Sequence, residues 1–152
     1  MKKILITGAK GQLGQSIAAL SQTFIQFEFV LTDIDELNIA NESDVETFFT
    51  NHQIYAVVNC AAYTAVDKAE SEPEKAFLIN EEAVKILNKA CVRNNCFFIH
   101  VSTDFVYSGQ KKKPYLETDI PDPVSVYGSS KLAGEKVLAK NQKAMIIRTS
   151  WL

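Results

Sequence analysis

The chain opens with a short apolar strand, Lys2-Lys3-Ile4-Leu5-Ile6-Thr7, that runs directly into Gly8-Ala9-Lys10-Gly11-Gln12-Leu13-Gly14 and then into a helical pattern. Few segments constrain a fold as tightly. Glycines at 8, 11 and 14 permit a tight turn, close approach of the backbone to a pyrophosphate, and close packing of helix on strand. The helix that follows turns unpaired N–H groups and the positive end of its dipole toward any bound phosphate. In this strand–loop–helix order the triplet predicts a dinucleotide site rather than a plain turn.

The same alternation continues along the chain. Residues 11–21 read as a helix with Leu13, Ile17 and Leu20 on one face, and residues 27–32 as a second strand. A helix is predicted over 42–51, with Asn41 as its N-cap. Residues 55–59 form a third strand, and Pro73 begins a longer helix that runs to about residue 93. Strands are predicted over 96–102 and 145–149, with a helix carrying Tyr127 and Lys131 between them. Residues 107–123 hold three of the four prolines and Gly109, so they read as a surface loop. Continuous apolar strands alternating with helices specify an α/β fold: a doubly wound parallel sheet with helices on both faces. Ligands of such a sheet bind beyond the carboxyl ends of the strands, where the chemical motifs of this chain cluster.

With 152 residues, 47% of them hydrophobic, the chain can bury one core and reads as one domain. A net charge of −2 gives no general reason to expect nucleic-acid binding, and Lys111-Lys112-Lys113 reads as a solvated loop. There is no apolar run long enough to span a bilayer, and the N-terminus reaches its glycine loop without a signal-peptide apolar region. Three cysteines, Cys60, Cys91 and Cys96, form no paired framework; reduced thiols and a cytoplasmic location are expected. His52 and His100 have no partners at metal-ligand spacing, so no metal site is expected.

Asp33 ends the second strand, 19 positions after Gly14. A carboxylate there can bind the adenosine ribose hydroxyls and favours NAD; its other reading is a turn or cap residue. Lys10 would either offset repulsion of a 2′-phosphate, keeping NADP open, or simply face solvent. Asn59-Cys60-Ala61-Ala62-Tyr63-Thr64 closes the third strand, and its two alanines let backbone pass close to a cofactor or pack under the next helix.

Tyr127 and Lys131 stand four residues apart, so a helix puts phenol and ammonium on one face. A neighbouring positive charge favours the phenolate, which predicts a tyrosine pKa lowered from about 10 toward working pH. Such a tyrosine can exchange a proton with a carbonyl or alcohol oxygen. Thr103, at the end of the fourth strand, is expected to point its hydroxyl into the same cleft and to share that oxygen. The alternative is that Ser102 and Thr103 cap a strand while Tyr127 packs in the core.

Together, TGAKGQLG, NCAAYTAVDKAE, VSTDFVYSG, PYLETDIPDPVSVYGSSKLAGE and IIRTSWL resemble the extended short-chain dehydrogenase/reductases over essentially the whole chain. Within that superfamily they are most similar to the dTDP-4-dehydrorhamnose reductases. The resemblance implies a Rossmann-type domain, NADPH or NADH as hydride donor, and reduction of the C4 ketone of a dTDP-sugar. It places Thr103 and Tyr127 at the C4 oxygen, with Tyr127 as proton donor, and Lys131 at the nicotinamide ribose. Gly11, Gln12 and Leu13 would follow the pyrophosphate, with Gly8 and Gly14 shaping the turn. Asp33 would approach the adenosine ribose, and Asn38 and Ile39 the adenine edge. Ala61, Ala62, Tyr63 and Thr64 would line the cofactor, and Asp104 and Trp151 the sugar.

Related nucleotide-sugar 4,6-dehydratases resemble Thr-Asp-Glu where this chain has Thr103-Asp104-Phe105. Phe105 can neither give nor take a proton, which implies reduction without elimination. Asn38 replaces an aspartate common in the family, and Phe105 and Tyr107 exchange the usual order of tyrosine and phenylalanine. Family members also continue past the RTSW strand into a part that grips the substrate nucleotide, so residues 1–152 alone are expected to show little or no reductase activity. A homodimer of the longer form is a further implied partner. A reductase or epimerase of another nucleotide sugar, and a non-catalytic subunit like the homologue beside methionine adenosyltransferase, are the competing readings.

Overall fold

The computed structural model describes residues 1–150, so Trp151 lies outside the described residues. Five strands form one sheet: β1 (Lys2–Thr7), β2 (Phe27–Thr32), β3 (Ile54–Asn59), β4 (Phe97–Thr103) and β5 (Ala144–Thr149). Their order is β2-β1-β3-β4-β5, and every pairing is parallel. The chain leaves β1 for β2 on one side and returns to β3 on the other. That reversal opens a crevice beyond the carboxyl ends of β1 and β3, the position where doubly wound sheets take ligands.

Helices α1 (Gln12–Ser21), α2 (Glu42–Asn51), α3 (Val66–Ala69), α4 (Pro73–Phe77), α5 (Ala83–Arg93) and α6 (Val126–Leu138) make the crossovers. Right-handed connections put α1 on one face and α2, α5 and α6 on the other. The larger core lies on the second face. Leu5, Val57 and Phe98 of the sheet pack there against Val45 and Phe49 of α2, Val84, Leu87 and Cys91 of α5, and Leu138 of α6. Asn41 caps α2 as its sequence predicts, its side chain accepting from the backbone N–H of Ser43 at 3.0 Å.

The single long helix predicted to begin at Pro73 is interrupted. Leu78–Glu82 form a π-helical turn between α4 and α5. The turn carries Asn80 into the interior, where its backbone oxygen lies so close to α6 that a Cβ at Gly134 would collide with it. After β4, Asp104–Val106 make one 3₁₀ turn before residues 107–123 cross the surface without strand or helix.

Candidate active site

A cleft of about 820 Å³ lies beyond the carboxyl ends of the strands. Its lining includes Gly8, Gly11, Gln12, Leu13 and Gly14 at one end and Thr103, Asp104, Tyr127 and Lys131 at the other. Asp33, Asn38, Ile39, Ala61, Ala62, Tyr63 and Thr64 line it as well. Every candidate residue named from the sequence within residues 1–150 therefore reaches one cavity.

The glycine loop is close-packed. Gly8 adopts φ +66°, and a Cβ there would sit 2.6 Å from the backbone nitrogen of Ala61. A Cβ on Gly14 would strike Gly8 O and the backbone of Ala9. The loop and the Cys60–Ala61 turn thus interlock at the crevice only without side chains. Gly11, at φ −74°, caps α1 without contributing an oxygen, and the first turn Gln12-Leu13-Gly14 holds no acid. The helix end keeps its N–H groups and dipole uncompensated by the chain, which fits the pyrophosphate of a dinucleotide. Beneath the loop, Thr7 donates to Asn59 Oδ1 at 2.6 Å, and Asn59 Nδ2 lies 3.1 Å from His100 Nδ1. This buried chain ties β1, β3 and β4 together at the crevice. Burial, with Lys131 nearby, pushes the His100 pKa down to about 3, so the ring is neutral.

Beside the glycine loop, Asp33 accepts from the backbone N–H groups of Lys10 at 3.0 Å and Ile34 at 2.9 Å. It orders the loop as a turn residue and also faces the cleft. The ammonium of Lys10 is held 2.7 Å from Asp35 and 3.4 Å from Glu36. Its charge is paired with the chain's own exposed acids. Asn38 Oδ1 accepts from Ala40 N–H at 3.1 Å, turning the chain while Ile39 is buried.

Ser125 caps α6 by accepting from Gly128 N–H at 3.0 Å, and Glu70 accepts from Val126 N–H at 2.8 Å. These bonds hold the helix end that presents Tyr127. The Tyr127 ring packs with Ala69 and Ala76 and meets Phe105 edge-to-face at 5.6 Å between centroids. Thr103 accepts from Phe105 N–H and donates to Asp104 Oδ1, each at 3.2 Å. Tyr127 is therefore both a packed core residue and a wall of the cleft.

The electrostatics of this pair differ from the sequence expectation. Burial raises the Tyr127 pKa above its ordinary value, the Thr103 hydroxyl opposes that shift, and the charge of Asp104 adds to it. The expected lowering by Lys131 does not occur. Lys131 lies on the same helix but turns its ammonium to β4, donating to Val101 O at 2.7 Å. With the side chain almost wholly buried, desolvation pushes the Lys131 pKa down to about 8, against the raising influence of Glu135 and Cys60. Four-residue spacing brings two side chains to one face but does not say which backbone group each will meet, and burial outweighs proximity here. The Cys60 thiol, half-buried at the cleft, is pushed up to about 11 by desolvation.

Two supports have no counterpart in the sequence reading. Asn80, from the π turn, accepts from Tyr63 N–H at 2.9 Å and donates to Tyr63 O at 3.1 Å and to Ser130 Oγ at 3.0 Å. Ser130 donates in turn to Tyr127 O at 2.8 Å. The cleft-lining segment Ala61–Thr64 is thereby fastened to α6. The available signal was an asparagine at helical spacing from Ala76, Ala83, Val84 and Leu87, on an apolar stripe where a polar amide needs a buried partner. The second support is Glu135, which receives Ser102 and Arg148 behind the site.

The sequence matches the RmlD substrate-binding domain family over residues 1–152. The chain belongs to that family. A dTDP-4-dehydrorhamnose reductase of Aggregatibacter actinomycetemcomitans is 43% identical over 152 residues, covering 99% of this chain and 52% of that protein. A crystal structure of a dTDP-4-dehydrorhamnose reductase from Clostridium acetobutylicum superposes with a TM-score of 0.94 at 41% identity, covering 98% of this chain and 53% of the other. The corresponding enzyme from Bacillus anthracis, in complex with NADP, gives 0.95 at 34% identity, over 99% of this chain and 54% of that one. The chain spans about half the length of the RmlD-family relatives it matches. Its five-stranded sheet is the Rossmann-type α/β fold of those structures. Among the described residues, no helix is long and apolar enough to cross a membrane, and no cluster of metal-binding side chains occurs.

Proposed function

We propose that this chain is the cofactor-binding and catalytic half of an NAD(P)H-dependent reductase that converts the C4 ketone of dTDP-4-dehydro-L-rhamnose to the alcohol of dTDP-L-rhamnose. The observation that carries the reading is one cleft with a phosphate-ready helix end at one side and Thr103, Tyr127 and Lys131 at the other. When bound, the nicotinamide would supply a hydride to the carbonyl carbon.

The chain's own groups supply the rest. A buried tyrosine with its pKa above the ordinary value stays protonated at neutral pH, which suits Tyr127 to deliver a proton to the C4 oxygen. The Thr103 hydroxyl, turned from Asp104 to the substrate, donates a second hydrogen bond to that oxygen, and both bonds strengthen as negative charge develops. The Lys131 ammonium binds the ribose on the nicotinamide side. Gln12 and Leu13 offer backbone N–H groups to the pyrophosphate, Asp33 takes the adenosine ribose hydroxyls, and Asn38 and Ile39 border the adenine. Asp104 sits where it can bind the sugar. Phe105, ring to ring with Tyr127, occupies the position an acid would need for water elimination, which supports simple reduction.

The sheet supports the two-part organisation. Met145 and Ile147 of β5 are 58% and 45% exposed on the face opposite α6, beside Phe97 of β4 at 42%. An apolar stripe of that kind fits a second part of a longer polypeptide that would complete the dTDP-sugar site.

Tyr127→Phe tests the reading directly. In this chain joined to the second half of the Aggregatibacter relative, it should lower turnover of dTDP-4-dehydro-L-rhamnose by about 10²–10⁴-fold. Cofactor affinity, measured by calorimetry, should stay unchanged. Turnover close to that of the unsubstituted protein would remove the proton-donor role.

A further inference from the structure

Glu135 lies in α6 one turn beyond Lys131 and is only 4% exposed, although it does not line the cleft. A carboxylate so far from water persists only where its lone pairs are filled and its charge is offset. Both conditions are met from two strands. Arg148 of β5 donates Nε to Oε1 at 2.9 Å and Nη2 to Oε2 at 2.6 Å, a two-pronged grip. Ser102 of β4 donates to Oε1 at 2.6 Å from the position just before Thr103. The grip extends outward: Arg148 Nη1 donates to the Tyr107 hydroxyl at 2.6 Å, which donates to Leu116 O at 2.9 Å. One carboxylate thus joins α6, the ends of β4 and β5, and the surface loop.

Lys131 has no comparable partner. Its ammonium meets a neutral carbonyl, Val101 O, at 2.7 Å. The ionisable groups around it are Cys60 just after β3, His100 from β4, and Tyr127 and Glu135 from α6, with Arg148 of β5 beyond Glu135. Cys60, His100 and Tyr127 are uncharged at neutral pH, since burial raises the thiol and the phenol and lowers the imidazole. Glu135 is the remaining anion in that set.

We propose that Glu135 is a positioning residue for the catalytic helix: it fixes the register of α6 against Thr103 and supplies the counter-charge that keeps Lys131 an ammonium. The inference deepens the reductase reading, because it is the cofactor-side role of Lys131 that requires the charge. Through Ser102 the same carboxylate sets the height of Thr103 relative to Tyr127, so one side chain coordinates all three cleft groups without touching the substrate.

The test is a pH titration of the chain labelled with ¹³C at lysine Cε and followed by NMR, with Lys131→Arg identifying the resonance. The unsubstituted midpoint should fall near 8. Glu135→Gln should lower it by about one unit or more, because the neutral amide no longer favours the charged form. Ser102→Ala, which loosens the same junction without removing a charge, should leave the midpoint in place. An unmoved midpoint in folded Glu135→Gln would overturn the proposal, as would an equal shift in Ser102→Ala. If Glu135→Gln does not fold, Glu135→Asp decides. It keeps the charge but withdraws it by one methylene, and the expected result is a smaller downward shift; no shift again overturns the proposal. The titration needs neither cofactor nor sugar, so its outcome is separate from whether the chain is half of a reductase.

Discussion

Tyr127 is held in the opposite electrostatic condition from the one its spacing predicts, and Lys131 carries its charge against burial. Tyr127 keeps its proton because it is buried, and Lys131 has its charged form weakened for the same reason. The second effect has a stability consequence. The Lys131 pKa is about 8 in the folded chain, against 10.5 for an ordinary lysine. Between those values the unfolded chain binds more protons, so stability rises with pH through that window, and the penalty is fully present below about pH 8. Lys131→Met should therefore stabilise the fold at pH 7 by roughly 2–3 kcal/mol in urea denaturation, with the difference fading toward pH 10.5. It should also lose cofactor affinity. Lower stability of the variant at pH 7 would contradict the assignment of burial as the dominant cause. Position on a helix face was legible from residue spacing alone; the sign of each shift was not, because it depends on what β3, β4 and the 3₁₀ turn place over that face.

Boundaries of the regular elements were largely written in local chemistry. β1 and β2 occupy the predicted residues, α2 starts at its Asn41 cap, and Pro73 stands at the first helical position of α4. The π turn was not legible, because the residues around Leu78–Glu82 retain an ordinary helical pattern while the insertion is set by contact with α6. Its product is Asn80, whose amide fastens Tyr63 to Ser130 and so joins two sides of the cleft. Asn80→Ala would leave part-buried backbone groups of Tyr63 without these partners. The expected cost is about 1–3 kcal/mol, measured by thermal or urea unfolding, together with weaker dinucleotide binding. Destabilisation without any change in binding would mean that the clamp serves the fold alone. The Glu135 junction belongs to the same class of device. It joins residues 33 and 13 positions apart through a carboxylate whose partners only the tertiary fold brings together.

At the scale of the molecule, the strand order β2-β1-β3-β4-β5 creates the crevice, and the glycine loop and the Cys60–Ala61 turn meet there with no room for side chains. Alternation of apolar strands and helices was enough to specify the parallel sheet, and the ordered motifs were enough to specify the family. What the motifs could not convey is how the two ends of the cleft are braced, since those braces are single buried polar residues without a periodic signal. We propose that this cleft holds a nicotinamide dinucleotide with its phosphates on the α1 N-terminus. Gly11 gives the most direct test. Its φ of −74° suits any residue, and a Cβ there would meet only Gly8 O, at 3.2 Å, a tight contact that a shift of a few tenths of an ångström in the exposed loop relieves. Gly11→Glu should therefore fold while placing a carboxylate at the phosphate position. Calorimetric titration with NADPH and NADH should show one saturable site in the unsubstituted chain and its loss in Gly11→Glu. Failure of the folded chain to bind either dinucleotide, or equal binding by Gly11→Glu, would rule out this phosphate site.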